Sequence, residues 1–221
     1  MEAASRVVAS AQEGPHRDLE ALVARHLAHP FRKLVLDYNR AAFAAAITAH
    51  EAWNPGSPLI LDAGCGVGWS TLRLAAAHPG HFVIGVDQSL DRLQRGKPQP
   101  LPANAVLVRA DLVDFWRLLS EANIRLARHH VLYPNPWPKI GHLARRWHGH
   151  AVFPVWRELG GVLEVRSNWH IYIGEMALAL RLLGARSVEA GIYTTDDPMT
   201  PFEKKYLASG HSLWRCTADF G

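Results

Sequence analysis

Apolar positions are spaced differently along the chain, and the changes mark alternating elements. Leu59-Ile60-Leu61, Phe82-Val83-Ile84-Gly85-Val86, Ala105 to Val108, His130-Val131-Leu132-Tyr133 and Gly161 to Arg166 are short, largely apolar runs of strand length. Ser70–Ala77, Leu112–Glu121, Ala144–Glu158 and Trp169–Leu183 read as the helices that follow them, with Pro154 expected to kink the third. Two more strands are predicted near Ser187–Tyr193 and Leu213–Asp219, the last as an antiparallel edge. Strands with no polar face must be covered on both sides. The alternation therefore predicts an α/β fold, doubly wound, with a mostly parallel seven-stranded sheet and helices on both faces. Before Pro58 the pattern is helical, from about Asp18 to Leu27 and again from Phe31 to Ala52, closed by Asn54-Pro55-Gly56. We read residues 1–57 as a helical extension and 58–221 as the α/β domain.

Composition adds exclusions. No apolar run is long enough to span a membrane, and the first residues lack a secretory pattern, so the expected location is cytoplasmic. Cys65 and Cys216 are the only cysteines, too few for a disulfide framework. No metal is expected. His129 and His130 are neighbours on a strand and point to opposite faces, and His148 and His150 have no Asp or Cys nearby. The net charge of +4 says little, but its distribution says more: Lys139, His142, Arg145, Arg146, His148 and His150 lie within twelve residues that contain no acid.

Asp62-Ala63-Gly64-Cys65-Gly66-Val67-Gly68 stands between a predicted strand and a predicted helix, where glycines let the backbone approach a ligand. Trp69 occupies the place where a dinucleotide fingerprint needs its third glycine, so a pyrophosphate cradle fits poorly. Asp87 ends the second strand, where an acid can take the ribose hydroxyls of an adenine nucleoside. Asp111 ends the third, within reach of an adenine edge, and Asp62 can attract the charged amino acid end of a cofactor. A purely structural turn is the alternative. Taken together, the glycine loop, Asp87 and Asp111 resemble the class I, Rossmann-like methyltransferases, and that resemblance implies S-adenosylmethionine as methyl donor and S-adenosylhomocysteine as product.

Tyr133-Pro134-Asn135-Pro136-Trp137-Pro138-Lys139 follows the fourth strand, with two prolines stiffening the backbone around Asn135. Trp137 offers a face for a base and the basic run offers contacts for phosphates, although Trp137 as a packing lid on a rigid loop explains the bare pattern too. The segment, followed by His142, Arg145 and Arg146, resembles the tRNA (guanine-N7)-methyltransferases, whose bacterial members carry Phe-Pro-Asp-Pro-Trp-Pro-Lys. Ser167-Asn168-Trp169 through Tyr172 is similar to that family's Thr-Asp-Trp-x-x-Tyr. Thr200-Pro201-Phe202-Glu203-Lys204-Lys205, then Gly210-His211 and Trp214, is similar to its Thr-Lys-Phe-Glu-Arg-Arg and Gly-His-x-x-Trp. The match runs in order from about Leu59 to Trp214; residues before Pro58 match poorly and do not form the family's strongly basic arm.

The resemblance implies that Asp62, Gly64, Gly66, Gly68, Asp87, Asp111 and Asn135 hold the cofactor. It further implies catalysis by Asn135, Asn168 and Glu203 on N7 of a guanine in the tRNA variable loop. Trp137, Lys139, Arg145, Arg146, Asn168, Thr200 and Glu203 would then bind the substrate, with Lys204 and Lys205 either touching phosphates or simply solvated. Asn135 and Asn168 stand where the family has aspartate. Guanine N7 carries no proton, so no base is needed, but the product is cationic and carboxylates would favour it. The neutral pair leaves a second reading open, an N-methyltransferase for a small purine-like heterocycle.

Overall fold

The computed structural model describes residues 5–221. The chain runs α1 (Leu19–Ala28), α2 (Asp37–Trp53), β1 (Leu59–Ala63), α3 (Trp69–Ala77), β2 (Phe82–Asp87), α4 (Leu90–Gln94), β3 (Ala105–Arg109), α5 (Leu112–Glu121) and β4 (Arg128–Leu132). Two 3-10 turns follow, Ile140–Arg145 and Trp147–Gly149, and then α6 (Val155–Leu159), β5 (Val162–Ser167), α7 (His170–Leu182), β6 (Ser187–Tyr193), α8 (Pro201–Ala208) and β7 (Leu213–Asp219). The seven strands are ordered β3-β2-β1-β4-β5-β7-β6. Among the described residues no helix is long and apolar enough to cross a membrane.

The chain divides into two compact units, and the division does not fall at residue 57. One comprises Lys33–Leu132 with Glu158–Gly161; the other takes in the stretch up to Arg32, Tyr133–Arg157 and Val162–Gly221. In the first, β1 pairs in parallel with β2 and β4, and β2 with β3. All four therefore end at one sheet edge. β1 and β2 are buried at every residue, as strands covered on both faces must be. A Cβ on Gly85 of β2 would collide with the Thr71 hydroxyl and Leu107, so glycine lets α3 and β3 close on the strand. Helix α2 begins six residues later than its pattern predicts. Asp114 Oδ2 accepts the Leu36 N–H (3.1 Å) and the Asn39 side-chain amide (2.6 Å), holding the preceding chain extended.

In the second unit β7 is antiparallel to both β5 and β6 and lies between them. The expected antiparallel edge is thus an inner strand, and β6 is the outer one. β7 buries Leu213, Cys216 and Ala218, whereas β6 is exposed at most positions. The helix expected over Ala144–Glu158 is replaced by the two 3-10 turns and the short α6. Arg146 and His148 both bond to Glu175 of α7. Residues two apart do not share an α-helical face, so reaching one partner forces another backbone. At Gly149 a Cβ would strike the Leu143 carbonyl, which keeps the turns tight.

Helix α8 went unpredicted, although its signal is legible. Thr200 is the N-cap, Pro201 fills the first turn, and Glu203 donates its N–H to Thr200 Oγ1 at 3.0 Å.

Candidate active site

Of the cofactor candidates, Asp62, Gly64, Gly66, Gly68, Asp87 and Asp111 belong to the unit containing β1 to β4, whereas Asn135 belongs to the other. Backbone N–H groups of Gly64 and Cys65 donate to the Val86 carbonyl (2.8 and 3.0 Å), tying the loop after β1 to the end of β2. Gly64, Gly66 and Gly68 all have positive φ (79°, 59° and 81°), the left-handed region where a side chain is strained. Gly68 caps α3, and a Cβ there would lie 2.8 Å from Leu107. Beside Gly66 the space is open, so a ligand can reach this backbone.

Asp87 Oδ2 accepts the Gly66 N–H (2.9 Å) and Oδ1 accepts that of Ser89 (2.8 Å), while Arg92 stands 3.6 Å away. The acid at the end of β2 therefore shapes the glycine loop directly. Asp62 is buried at the foot of the loop and accepts from the Ser70 and Thr71 hydroxyls (2.6 and 2.7 Å). Burial pushes its carboxyl up to about 6, against those two hydrogen bonds and with the help of the Asp87 charge. Asp111 caps α5 through Val113 (2.8 Å) at the same sheet edge. These placements bring Asp62, the glycines and Asp87 into one cluster, with Asp111 at the next strand end.

The acceptor-side candidates all belong to the other unit. Tyr133 and Trp137 adopt positive φ (53° and 47°) on either side of Pro134-Asn135-Pro136, a conformation that persists only when neighbours enforce it. Tyr133 donates its N–H to the Arg166 carbonyl (2.9 Å) and its hydroxyl to Glu203 Oε1 (2.6 Å). Burial and then the Glu203 bond raise the phenol pKa, so Tyr133 stays a donor. Asn135 is exposed and accepts the Trp137 N–H at 3.2 Å. Arg145 is exposed, with its guanidinium carbon 4.9 Å from the Trp137 ring centre, and Lys139 is exposed as well.

Two candidates are not where a ligand contact would put them. Arg146, expected to meet phosphates, is fully buried: it pairs with Glu175 at 2.5 Å and donates to the carbonyls of Trp137 (3.2 Å) and Lys139 (3.4 Å). Glu203, expected to stabilise a cation, is fully buried as well. Its carboxylate is matched by Arg166 (2.9 Å) and accepts from Tyr133 and from the Met199 N–H (2.5 Å). Both side chains hold the Tyr133–Lys139 loop and α8 in place. Thr200 is likewise a buried cap.

Asn168 is half-buried, and its amide nitrogen donates to His211 Nδ1 at 3.2 Å. The His211 Nε2–H donates to the Ser5 carbonyl (3.1 Å), which fixes the tautomer and leaves Nδ1 an acceptor. An aspartate at 168 could not donate this bond, so the asparagine is matched to its histidine. Tyr133, Arg166 and Glu175 were passed over in the sequence. Their signals are charges inside an otherwise apolar strand (Glu164, Arg166) and an acid inside an apolar helix (Glu175). Among the described residues no group of His, Cys, Asp and Glu could hold a metal.

Residues 56–216 match the family model described as "Putative methyltransferase". A tRNA (guanine-N(7)-)-methyltransferase of Bordetella pertussis is 30% identical over 179 residues, covering 74% of this chain and 67% of that protein. The chain belongs to the tRNA (guanine-N7)-methyltransferase family. A member from Bordetella parapertussis is 31% identical over 174 residues; the match covers 72% of this chain but 65% of that protein, less than two thirds of its length. Among solved structures, the aminoglycoside resistance methyltransferase NpmB1 superposes with a TM-score of 0.53 at 23% identity, over 79% of this chain and 92% of that one, a likeness of fold.

Proposed function

We propose that this chain methylates N7 of a guanine in tRNA, in the cytoplasm, with S-adenosylmethionine as the donor. The observation that carries the acceptor is the Tyr133–Lys139 loop. It is braced from behind by buried ion pairs while Trp137, Arg145 and Lys139 present an aromatic face and two cations at its surface.

The residues around the glycine loop fit the cofactor in chemistry: a backbone free of side chains, an acid at the end of β2 for a ribose diol, and a buried acid for an ammonium group. When bound, S-adenosylmethionine supplies an electrophilic methyl group. The protein's own work is to bind, orient and exclude water, because guanine N7 has a lone pair and no proton to remove. Asn135 and Asn168 are suited to holding the guanine edge by hydrogen bonds. With Glu203 already matched by Arg166, amide dipoles rather than a free carboxylate would face the cationic product.

The direct test is methyl transfer from labelled S-adenosylmethionine to unmodified tRNA, with the product nucleoside identified by mass spectrometry. 7-Methylguanosine is expected; unlabelled tRNA with intact cofactor binding would refute the assignment.

Two further outcomes follow from the placements. Arg145→Glu is expected to weaken tRNA binding and to lower the slope of log affinity against log salt by about one or two charges, because an exposed cation is exchanged for an anion. A filter-binding titration at several salt concentrations checks this, and an unchanged slope would remove Arg145 from the RNA surface. Cofactor affinity is expected to fall as the pH drops through about 6, where the raised Asp62 carboxyl takes up its proton and can no longer attract an ammonium. Calorimetric titration between pH 8 and pH 5 reads this directly; a flat profile contradicts it.

A further inference from the structure

Phe202, the second residue of α8, is 52% exposed although it sits between the buried Thr200 and Glu203. Its ring lies nearly parallel to that of Tyr206 one turn later (27°, centroids 6.2 Å apart). Tyr206 in turn stacks on His211 (13°, 5.4 Å), and His211 accepts from Asn168. Tyr206 also packs against Tyr133, the first residue of the braced loop (5.5 Å). Three rings thus form a column that starts beside Asn168 and ends in an exposed aromatic side chain.

The helix that carries the column is held firmly. Its N-cap is Thr200, and Glu203 fastens its first turn to Arg166 of β5 and to Tyr133. A lone exposed phenylalanine is unremarkable in itself. An exposed ring backed by two stacked rings, on a helix start fixed to the acceptor loop, is a rigid flat surface of the kind unpaired bases stack on, whatever their identity. Lys204 and Lys205 follow directly, Lys204 exposed and Lys205 half-buried, and supply positive charge for the phosphates on either side of such a base.

We propose that Phe202 is a stacking platform for an unpaired RNA base neighbouring the methylated guanine, so that this chain reads a displaced base as well as its target. The inference rests on the tRNA reading above. Stacking is sequence-tolerant, so the site adds affinity for an opened loop rather than a preference for one base.

The test measures tRNA binding and methylation for the wild type and for Phe202→Ala, Phe202→Leu, Phe202→Tyr and Phe202→Trp. Cofactor affinity and Tm are recorded for each. Phe202→Ala and Phe202→Leu are expected to raise KM and Kd for tRNA about tenfold. Their cofactor affinity and Tm should stay at the wild-type values, and Phe202→Tyr and Phe202→Trp should restore binding. If Phe202→Leu binds as well as the wild type, or if Phe202→Ala changes nothing while the wild type methylates tRNA, the platform is refuted and the tRNA reading stands. A wild type that neither binds nor methylates tRNA refutes both.

Discussion

On the proposed placement of the ribose diol at Asp87, Asp87→Ala is expected to weaken S-adenosylmethionine binding by about a hundredfold or more, since two charge-assisted acceptors at roughly 1.5 kcal/mol or more each would be lost. The loss has a second source in the glycine loop itself. Asp87 Oδ2 is the acceptor for the Gly66 N–H and Oδ1 for that of Ser89, so its removal also releases the backbone a cofactor must meet. Asp87→Asn keeps an acceptor oxygen and should recover part of the affinity. Isothermal titration settles the matter: an alanine variant that binds like the wild type would dismiss the acid at the end of β2 as a ligand. Tm should change by only a few degrees, since Asp87 stands at a strand end and outside the apolar core.

The second large effect is on stability. Glu175 lies in the middle of α7, fully buried, and takes hydrogen bonds from Arg146 (2.5 Å), His148 (2.8 Å), Gln12 (2.5 Å) and the His16 N–H (2.8 Å). Burial alone would push its carboxyl up. The His148 bond and the Arg146 guanidinium outweigh that and hold it at about 2. Glu175→Ala leaves the buried Arg146 without a counter-charge, a change that typically costs about 3–5 kcal/mol. Thermal denaturation should show a fall in Tm on the order of 10 °C, and Glu175→Gln, which keeps the shape and an acceptor, should fall less. The sign of the pH dependence follows from the depressed carboxyl. Its contribution is present above about 4.5 and is lost as the pH falls toward about 2. The variant should therefore unfold in acid with a shallower dependence over that range. Equal Tm values for the wild type and Glu175→Ala would show that the cluster contributes nothing.

Legibility in the sequence depended on how local each determinant was. β2, α5, β6 and β7 could be placed to within a residue, because a run such as Phe82–Asp87 and an amphipathic helix such as Leu112–Glu121 carry their period within themselves. The glycine loop and its acids were readable because each stands at the end of an apolar strand. The 3-10 turns at 140–149 were not, since their cause is Glu175, some thirty residues further on. The late start of α2 is similar, being imposed by Asp114. Arg146 and Arg145 look alike in sequence, yet one is buried on Glu175 and the other lies over Trp137, a difference only the packing reveals. Helix α8, with its Thr-Pro-Phe-Glu start, and the short α4, capped by Ser89, both carry local signals that apolar periodicity does not report.

The inner position of β7 also bears on how this chain avoids sticking to itself. β6 has one strand neighbour, so a row of its backbone groups faces outward, and seven residues of unpaired edge invite a strand from another molecule. Glu189 places a charge on that edge, Gly191 offers no side chain to interlock, and Arg181 donates to the Val188 carbonyl (3.3 Å). Those safeguards protect one edge. Removing β7 would strip pairing from β5 and β6 together, and would open the edge of a strand whose Leu163 and Val165 are otherwise fully buried. Shortening the chain from its C-terminal strand should therefore show itself first as aggregation.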